Sequence, residues 1–325
     1  MNAPPLPEWA PHEAVWIGFP SHFALWADDL APAQAEVAAF AYAIHAGGAG
    51  ETVWLVAADD AAAEAARTLA PFAKVIVEPF GDIWLRDTAA IVRGTGASRH
   101  AAGFGFNGWG GKYDLPGDES IGERLAQRAG LPYAKADWIL EGGAIDGDGS
   151  GTVLTTEQCL LNPNRNPEMG RADIEARLRE DLGFERIVWL GEGLANDHTD
   201  GHVDNLARFV APGRVAIPEP DGADDPNADV YANAAEILLD ADLEVVAIPS
   251  PGLVTRDDVI IPASYMNFYI GNAAVVVPQY GAAHDEAAVA VVQALFPGRS
   301  AVGLRADDVL TGGGSFHCIS QQVPV

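Results

Sequence analysis

The chain has 325 residues, 49% hydrophobic and 20% charged, which suffices for one large domain or two ordinary ones and excludes global disorder. Nineteen Lys and Arg against forty-six Asp and Glu leave a formal net charge of −27, which argues against a nucleic-acid partner or an anionic membrane surface, because both are bound through basic side chains. Two cysteines, Cys159 and Cys318, cannot frame a disulfide-built fold of this length.

In chain order the pattern predicts a helix over Ala31–His45, a strand over Val53–Ala57, a helix over Asp60–Leu69, and strands over Lys74–Glu78 and Ala89–Arg93. A helix over Glu119–Ala129, a strand over Gly151–Thr155 and a helix over Arg171–Asp181 follow, then strands over Arg186–Leu190, Leu206–Val210 and Arg214–Ile217. The helix Ala228–Asp240, the strands Glu244–Ile248 and Ala273–Val277, and the helix Asp285–Phe296 complete the set. The strands are short, Val- and Ile-rich and bounded by Gly, Pro or Asp, and the Asp pair before Ala61 suits an N-cap. Strands outnumber helices by more than βα alternation allows, so the expected unit is strand–strand–helix–strand, repeated five times at about 65 residues each. Pro218–Asn227 reads as a surface loop, and residues 1–325 are expected to form a single domain. The first sixteen residues lack a basic region followed by an apolar one, and no run approaches the ~20 apolar residues of a membrane span, so a cytoplasmic location is expected.

Four segments could carry chemistry. In GGGSFHCISQQ, Gly312–Gly314 precede His317 and Cys318; such a turn presents a cysteine as a nucleophile requires, although a buried cysteine after a flexible turn would read the same way. Cys159, in an apolar run, reads as structural. The segment NDHTDGHVDN carries Asp197, His198, Asp200, His202 and Asp204. His198, His202 and Asp204 could ligate a metal, or an extended segment could place His202 and Asp204 on one face as an acid/base pair. In GDIWLRDTAA, Trp84 and Asp87 could stack on and ion-pair with one planar cation. In ILEGGAID, Glu141 ends an apolar run beside two glycines. A surplus of acids around a thiol points to a cationic substrate, and the planar fork of a guanidinium fits paired carboxylates best.

Along almost its whole length the chain resembles the agmatine deiminase family of guanidino-group-modifying enzymes. The resemblance runs through PEWAPHEAVWIGFP, DIWLRD, FNGWGGKYD, LEGGAI, LTTEQCLLNPNRNP, DGHVDNLARFV, ASYMNFYIGNAAVVVPQ and GGGSFHCISQQ. The family's usual Arg-Asp-Thr-Gly-Pro is Arg-Asp-Thr-Ala-Ala here. The resemblance implies an α/β fold, a five-bladed propeller with pseudo-fivefold symmetry. It also implies that Cys318 is the nucleophile, His202 the general acid/base, Asp87 and Asp204 the guanidinium-binding carboxylates and Glu141 the support of the histidine. Trp84 and Asn267 match substrate-pocket residues. The far ammonium of agmatine needs an acceptor, for which Asp82, Asp197 and Asp200 are candidates. The expected reaction is hydrolysis of agmatine to N-carbamoylputrescine and ammonia through a covalent amidino-cysteine, without metal or organic cofactor. Arginine or peptidyl-arginine is the alternative substrate; a metal-dependent amidohydrolase and a non-catalytic polyamine-binding protein are the competing classes. The partner expected is a small cationic guanidine, with neither nucleic acid nor membrane, and self-association is left open.

Overall fold

The computed structural model describes residues 3–256 and 258–325. One unit recurs five times: a strand pairs antiparallel with a central strand, and the central strand leads through a helix to a third strand lying parallel to it. Its central strands are His12–Gly18, His100–Gly105, Thr152–Thr156, Arg214–Glu219 and Ala274–Gln279. The crossover helices are Leu30–His45, Asp118–Arg128, Arg171–Leu182, Ala228–Asp240 and Asp285–Leu295. The unit built on His12–Gly18 takes its antiparallel partner from Ser320–Pro324, in register from Ala14 opposite Val323 to Ile17 opposite Ser320 with a shift between His12 and Ala14, and gains a fourth strand, Lys74–Val77. Among the described residues the strands form separate sheets, and none closes on itself.

Local sequence explains these elements. Leu30–His45 buries Ala33, Val37, Phe40, Ala41 and Ile44, one stripe at helical spacing. Asp59 caps the helix Asp60–Leu69 by accepting the Ala62 N–H at 2.8 Å, an interaction that typically contributes about 1 kcal/mol. Val15–Ile17 and Val275–Val277 are wholly buried, and strands covered on both faces read as such continuous apolar runs. The six expected helices form, with no end shifted by more than one residue. Four long strands were not expected: His12–Gly18, His100–Gly105, Tyr133–Ile139 and Ser300–Arg305; nor was Ser320–Pro324.

What positions the site is the turn before the first strand of each unit. Leu85–Thr88 precedes Ile91–Arg93, Gly142–Ala144 precedes Asp146–Gly147, Val203–Asn205 precedes Arg208–Ala211, and Tyr265–Asn267 precedes Tyr269–Ile270. The turn carrying His317 and Cys318 precedes Ser320–Pro324, closed by Ile319 N–H to Ser315 O at 3.1 Å. Each turn is fastened to the next. Gly143 N–H donates to Asp87 Oδ1 at 2.9 Å, Asn267 Nδ2 to Asn205 Oδ1 at 2.9 Å, His317 N–H to Asn267 O at 3.1 Å, and Arg86 N–H to Cys318 O at 2.9 Å. The remaining junction is steric. A Cβ on Gly143 would stand 2.6 Å from His202 Nδ1 and 3.0 Å from a carboxylate oxygen of both Asp204 and Asp87, so only glycine lets these three side chains converge.

Candidate active site

Cys318 opens onto a cavity of about 200 Å³ whose walls include Asp82, Trp84, Asp87, Trp109 and Tyr113. Gly314 keeps the thiol reachable: a Cβ there would press on Trp84 at 2.7 Å and on Cys318 Sγ at 3.1 Å. Asn267 Nδ2 donates to Sγ at 3.0 Å, and Asp204 Oδ2 lies 3.6 Å from it. Burial, reinforced by the carboxylates of Asp204 and Asp87, pushes the thiol well above its ordinary pKa. A cation placed between those carboxylates reverses the electrostatic part of that shift.

Asp87 is fixed at both oxygens, by Gly143 N–H and by Trp109 Nε1–H at 2.9 Å each. Burial raises its carboxyl above the usual range, with Asp204 and Glu141 adding to the effect. Asp204 behaves oppositely: burial opposes its ionisation, but the hydrogen bond and charge of His317 hold it below the usual range. His202 is fully buried, its Nδ1 3.7 Å from Asp87 Oδ1, longer than a hydrogen bond. Burial disfavours its charged form, yet Asp87, Cys159 and Glu141 outweigh that and hold its pKa well above the ordinary histidine value. Glu141 approaches His202 and is held by Arg165, Nε to Oε1 at 2.7 Å.

The structure thus brings together Cys318, His202, Asp87, Asp204, Glu141, Trp84 and Asn267. Trp84 forms a cavity wall and stacks on Trp26 with centroids 6.3 Å apart. Asp82 lines the same cavity, but its carboxylate accepts indole N–H groups from Trp26 at 3.0 Å and Trp84 at 2.8 Å, so it orients the aromatic wall. Asp197 is turned back on Thr199 and Asn205, and Asp200 is paired with Lys112 and Arg165. Their partners keep both acids from acting as free acceptors for an ammonium.

Two further sequence readings are corrected. The segment around His202 and Asp204 is a tight turn, Val203–Asn205, not an extended strand. His198, His202 and Asp204 do not converge as metal ligands; the groups that approach within 4.8 Å of one another are Glu141, Cys159 and His202. There the guanidinium of Arg165 already supplies the cationic partner of Glu141. Cys159 is core, as expected, but its sulfur belongs to the surroundings of His202. Sequence reasoning missed Trp109, Arg165, His317 and Glu8. His317 was legible only as the neighbour of Cys318, whereas its ring binds Asp204 and Glu8.

Known proteins share this arrangement of chain and fold. The family model of the Porphyromonas-type peptidyl-arginine deiminases matches residues 5–324. The agmatine deiminase of Stutzerimonas stutzeri is 37% identical over 349 residues, covering 98% of this chain and 94% of the relative. The solved agmatine deiminase of Enterococcus faecalis superposes with a TM-score of 0.93 at 31% identity, covering 98% of this chain and 95% of that one. The C. jejuni agmatine deiminase gives a TM-score of 0.88 at 27% identity, covering 98% and 95%. Among the described residues, no helix is long and apolar enough to cross a membrane.

Proposed function

We propose, from the premise that the chain belongs to the Porphyromonas-type peptidyl-arginine deiminase family, enzymes acting on guanidino C–N bonds, that it hydrolyses agmatine to N-carbamoylputrescine and ammonia. The observation that carries the choice of substrate is the cavity lining. Two carboxylates flank Cys318 from turns of different units, while no Arg or Lys lines the cavity among the described residues. The carboxylate of free arginine would need such a partner, and agmatine needs none. The stretch of Leu25, Trp109, Tyr113 and Leu115 along the wall suits an aliphatic chain ending in an ammonium near aromatic faces.

Asp87 and Asp204 bind the guanidinium nitrogens and set the carbon over the Cys318 sulfur. With the cation bound, the Cys318 thiol gives its proton to water, and the thiolate attacks the carbon and forms the C–S bond as a C–N π pair moves onto nitrogen. His202, charged, gives its proton to the departing nitrogen, the C–N bond breaks, and ammonia leaves an amidino-thioether on Cys318. Neutral His202 then takes a proton from water, the C–O bond forms, and the C–S bond breaks to return the thiolate and release the ureido product. The residues named perform every step, with no metal or organic cofactor. The five fastened turns support a five-bladed propeller with pseudo-fivefold symmetry, in one catalytic domain. Residence in the cytoplasm belongs to the same reading and is checked by cell fractionation.

Ammonia release compared across agmatine, free arginine and an arginine peptide tests the proposal. We expect kcat/KM for agmatine to exceed that for arginine by about a hundredfold, ~2.7 kcal/mol of discrimination. Equal rates on arginine, or preference for the peptide, would keep the deiminase chemistry and discard agmatine.

A further inference from the structure

Behind the nucleophile lies a buried set of charges of which the reaction above uses only Asp204. His317 Nδ1 lies 2.7 Å from Asp204 Oδ2, and its Nε2 lies 2.8 Å from Glu8 Oε2. Glu8 also meets Arg208 at 3.0 Å and Arg86 at 3.4 Å, and Arg208 reaches Asp146 at 3.2 Å. An ionised carboxylate only accepts hydrogen bonds, and a neutral imidazole has a single donor. Two guanidinium groups beside Glu8 and the imidazole against Asp204 favour the carboxylate form of both acids. Burial opposes the charge on Glu8, but Arg208, His317 and Arg86 hold its carboxyl well below the ordinary value, and Asp204 is lowered as described above. Both ring nitrogens of His317 must then donate. The ion pairs agree: the acids Glu8, Asp146 and Asp204 face Arg86, Arg208 and His317. With a neutral imidazole, one buried carboxylate would be uncompensated, a costly state.

We propose that His317 donates from both ring nitrogens and so holds Asp204 aimed at the substrate guanidinium, a positioning residue anchored by Glu8. This rests on the deiminase reading for its consequence, not for its geometry. The clamp uses Asp204 Oδ2 and leaves Oδ1, which is buried and without a hydrogen-bond partner among the described residues, for the incoming cation. A neutral His317 would invite Asp204 to take up a proton, and a protonated carboxyl cannot neutralise a guanidinium. His317 therefore acts on substrate affinity through Asp204, one residue away from the nucleophile it precedes.

Two replacements separate its two contacts. In His317→Asn the amide nitrogen stands where Nδ1 stood and still donates to Asp204; in His317→Gln it reaches the place of Nε2 and donates to Glu8. Both lose the charge, so both should lower the Tm to a similar degree. On agmatine, H317Q should raise KM by about 30-fold or more, and H317N by about fivefold or less, with kcat changing less than KM in each. Equal KM values, or the greater loss in H317N, would overturn the clamp. Should either variant fail to fold, nitrogen-15 NMR of histidine-labelled wild-type protein at about pH 7 decides the charge state. Two protonated ring nitrogens in His317 uphold it, and one overturns it. A wild-type protein that releases no ammonia from any guanidine would instead defeat the proposed function, and would leave the NMR result standing.

Discussion

The side chain of Asn267 meets Cys318 twice, donating from Nδ2 to Sγ at 3.0 Å and accepting the backbone N–H at Oδ1 at 3.2 Å. The His317 N–H also donates to Oδ1, at 3.0 Å, so two backbone donors fix which end of the amide faces the sulfur. An N–H aimed at sulfur favours thiolate. Asn267→Ala should lower kcat/KM by about 10- to 100-fold, and Asn267→Asp by more, because it sets a third carboxylate beside the thiol. Steady-state rates on agmatine read both; an Asp variant as active as wild type would remove Asn267 from the site.

The raised pKa of Cys318 makes a prediction about its reactivity. At neutral pH the empty enzyme holds a thiol between two carboxylates, and the thiolate is the nucleophile. Iodoacetamide, which is neutral, should alkylate Cys318 more slowly than it alkylates free cysteine. A haloacetamidine, which carries its own amidinium, should react faster by about two orders of magnitude if Asp87 and Asp204 bind the cation as proposed. Peptide mapping locates the adduct, and Asp87→Asn should abolish the difference. Similar rates for the two reagents would show that the carboxylates do not act on the sulfur.

In the proposed reaction His202 is charged when ammonia departs, so kcat/KM should fall as pH rises through its raised pKa. Glu141 is among the groups that raise it. Glu141→Gln removes a negative charge, and should therefore move the basic limb of the profile to lower pH by about one unit. A limb that stays in place belongs to another group.

Asp118 bears on stability rather than turnover. Its Oδ1 accepts the N–H groups of Gly81 at 2.7 Å and Asp82 at 3.3 Å, yet burial, with Asp82 and Glu119 adding to it, pushes the carboxyl up to about 7. The folded pKa lies above the unfolded one, so the folded protein binds the extra proton between about pH 4 and pH 7, and stability is lost as pH rises through that window. Asp118→Asn keeps the acceptor and removes the charge. At about pH 8 the variant should be more stable by on the order of 2–4 kcal/mol, with the gap narrowing towards pH 4. Thermal denaturation at the two pH values checks this; a gap independent of pH would mean that Asp118 is ionised without penalty.

How much of this was legible in the sequence follows from distance along the chain. Cys318, His202, Asp204, Asp87 and Glu141 sit in glycine-bearing turns, and their local composition marks them. Glu8 is 309 residues from the histidine it binds, and nothing beside it in sequence hints at that partner. Trp109 and Arg165 likewise act through Asp87 and Glu141, which no local pattern connects to them. The unexpected strands have their own reason. His100–Gly105 reads HAAGFG because Gly103 lies directly against the ring of Tyr133, where any Cβ would collide, so the pairing removes the β-branched residues that would have announced a strand. Ser320–Pro324 is mostly polar and takes its order from His12–Gly18.

That last pairing has a consequence for synthesis. His12–Gly18 and Ser320–Pro324 are neighbours in space, their paired residues between 303 (Ile17 and Ser320) and 312 (His12 and Pro324) positions apart in sequence. A ribosome must make and release residue 324 before the sheet begun by the first strand is whole, and Cys318 emerges only a few residues earlier. Until then a nascent chain carries an open strand edge, which other chains can pair with, and no thiol at position 318. A stop codon that removes Ser320–Pro324 should therefore yield an aggregating product rather than a slow enzyme. A circular permutant that joins these two strands by a short loop, and opens the chain elsewhere, would form that hairpin early and should fold faster.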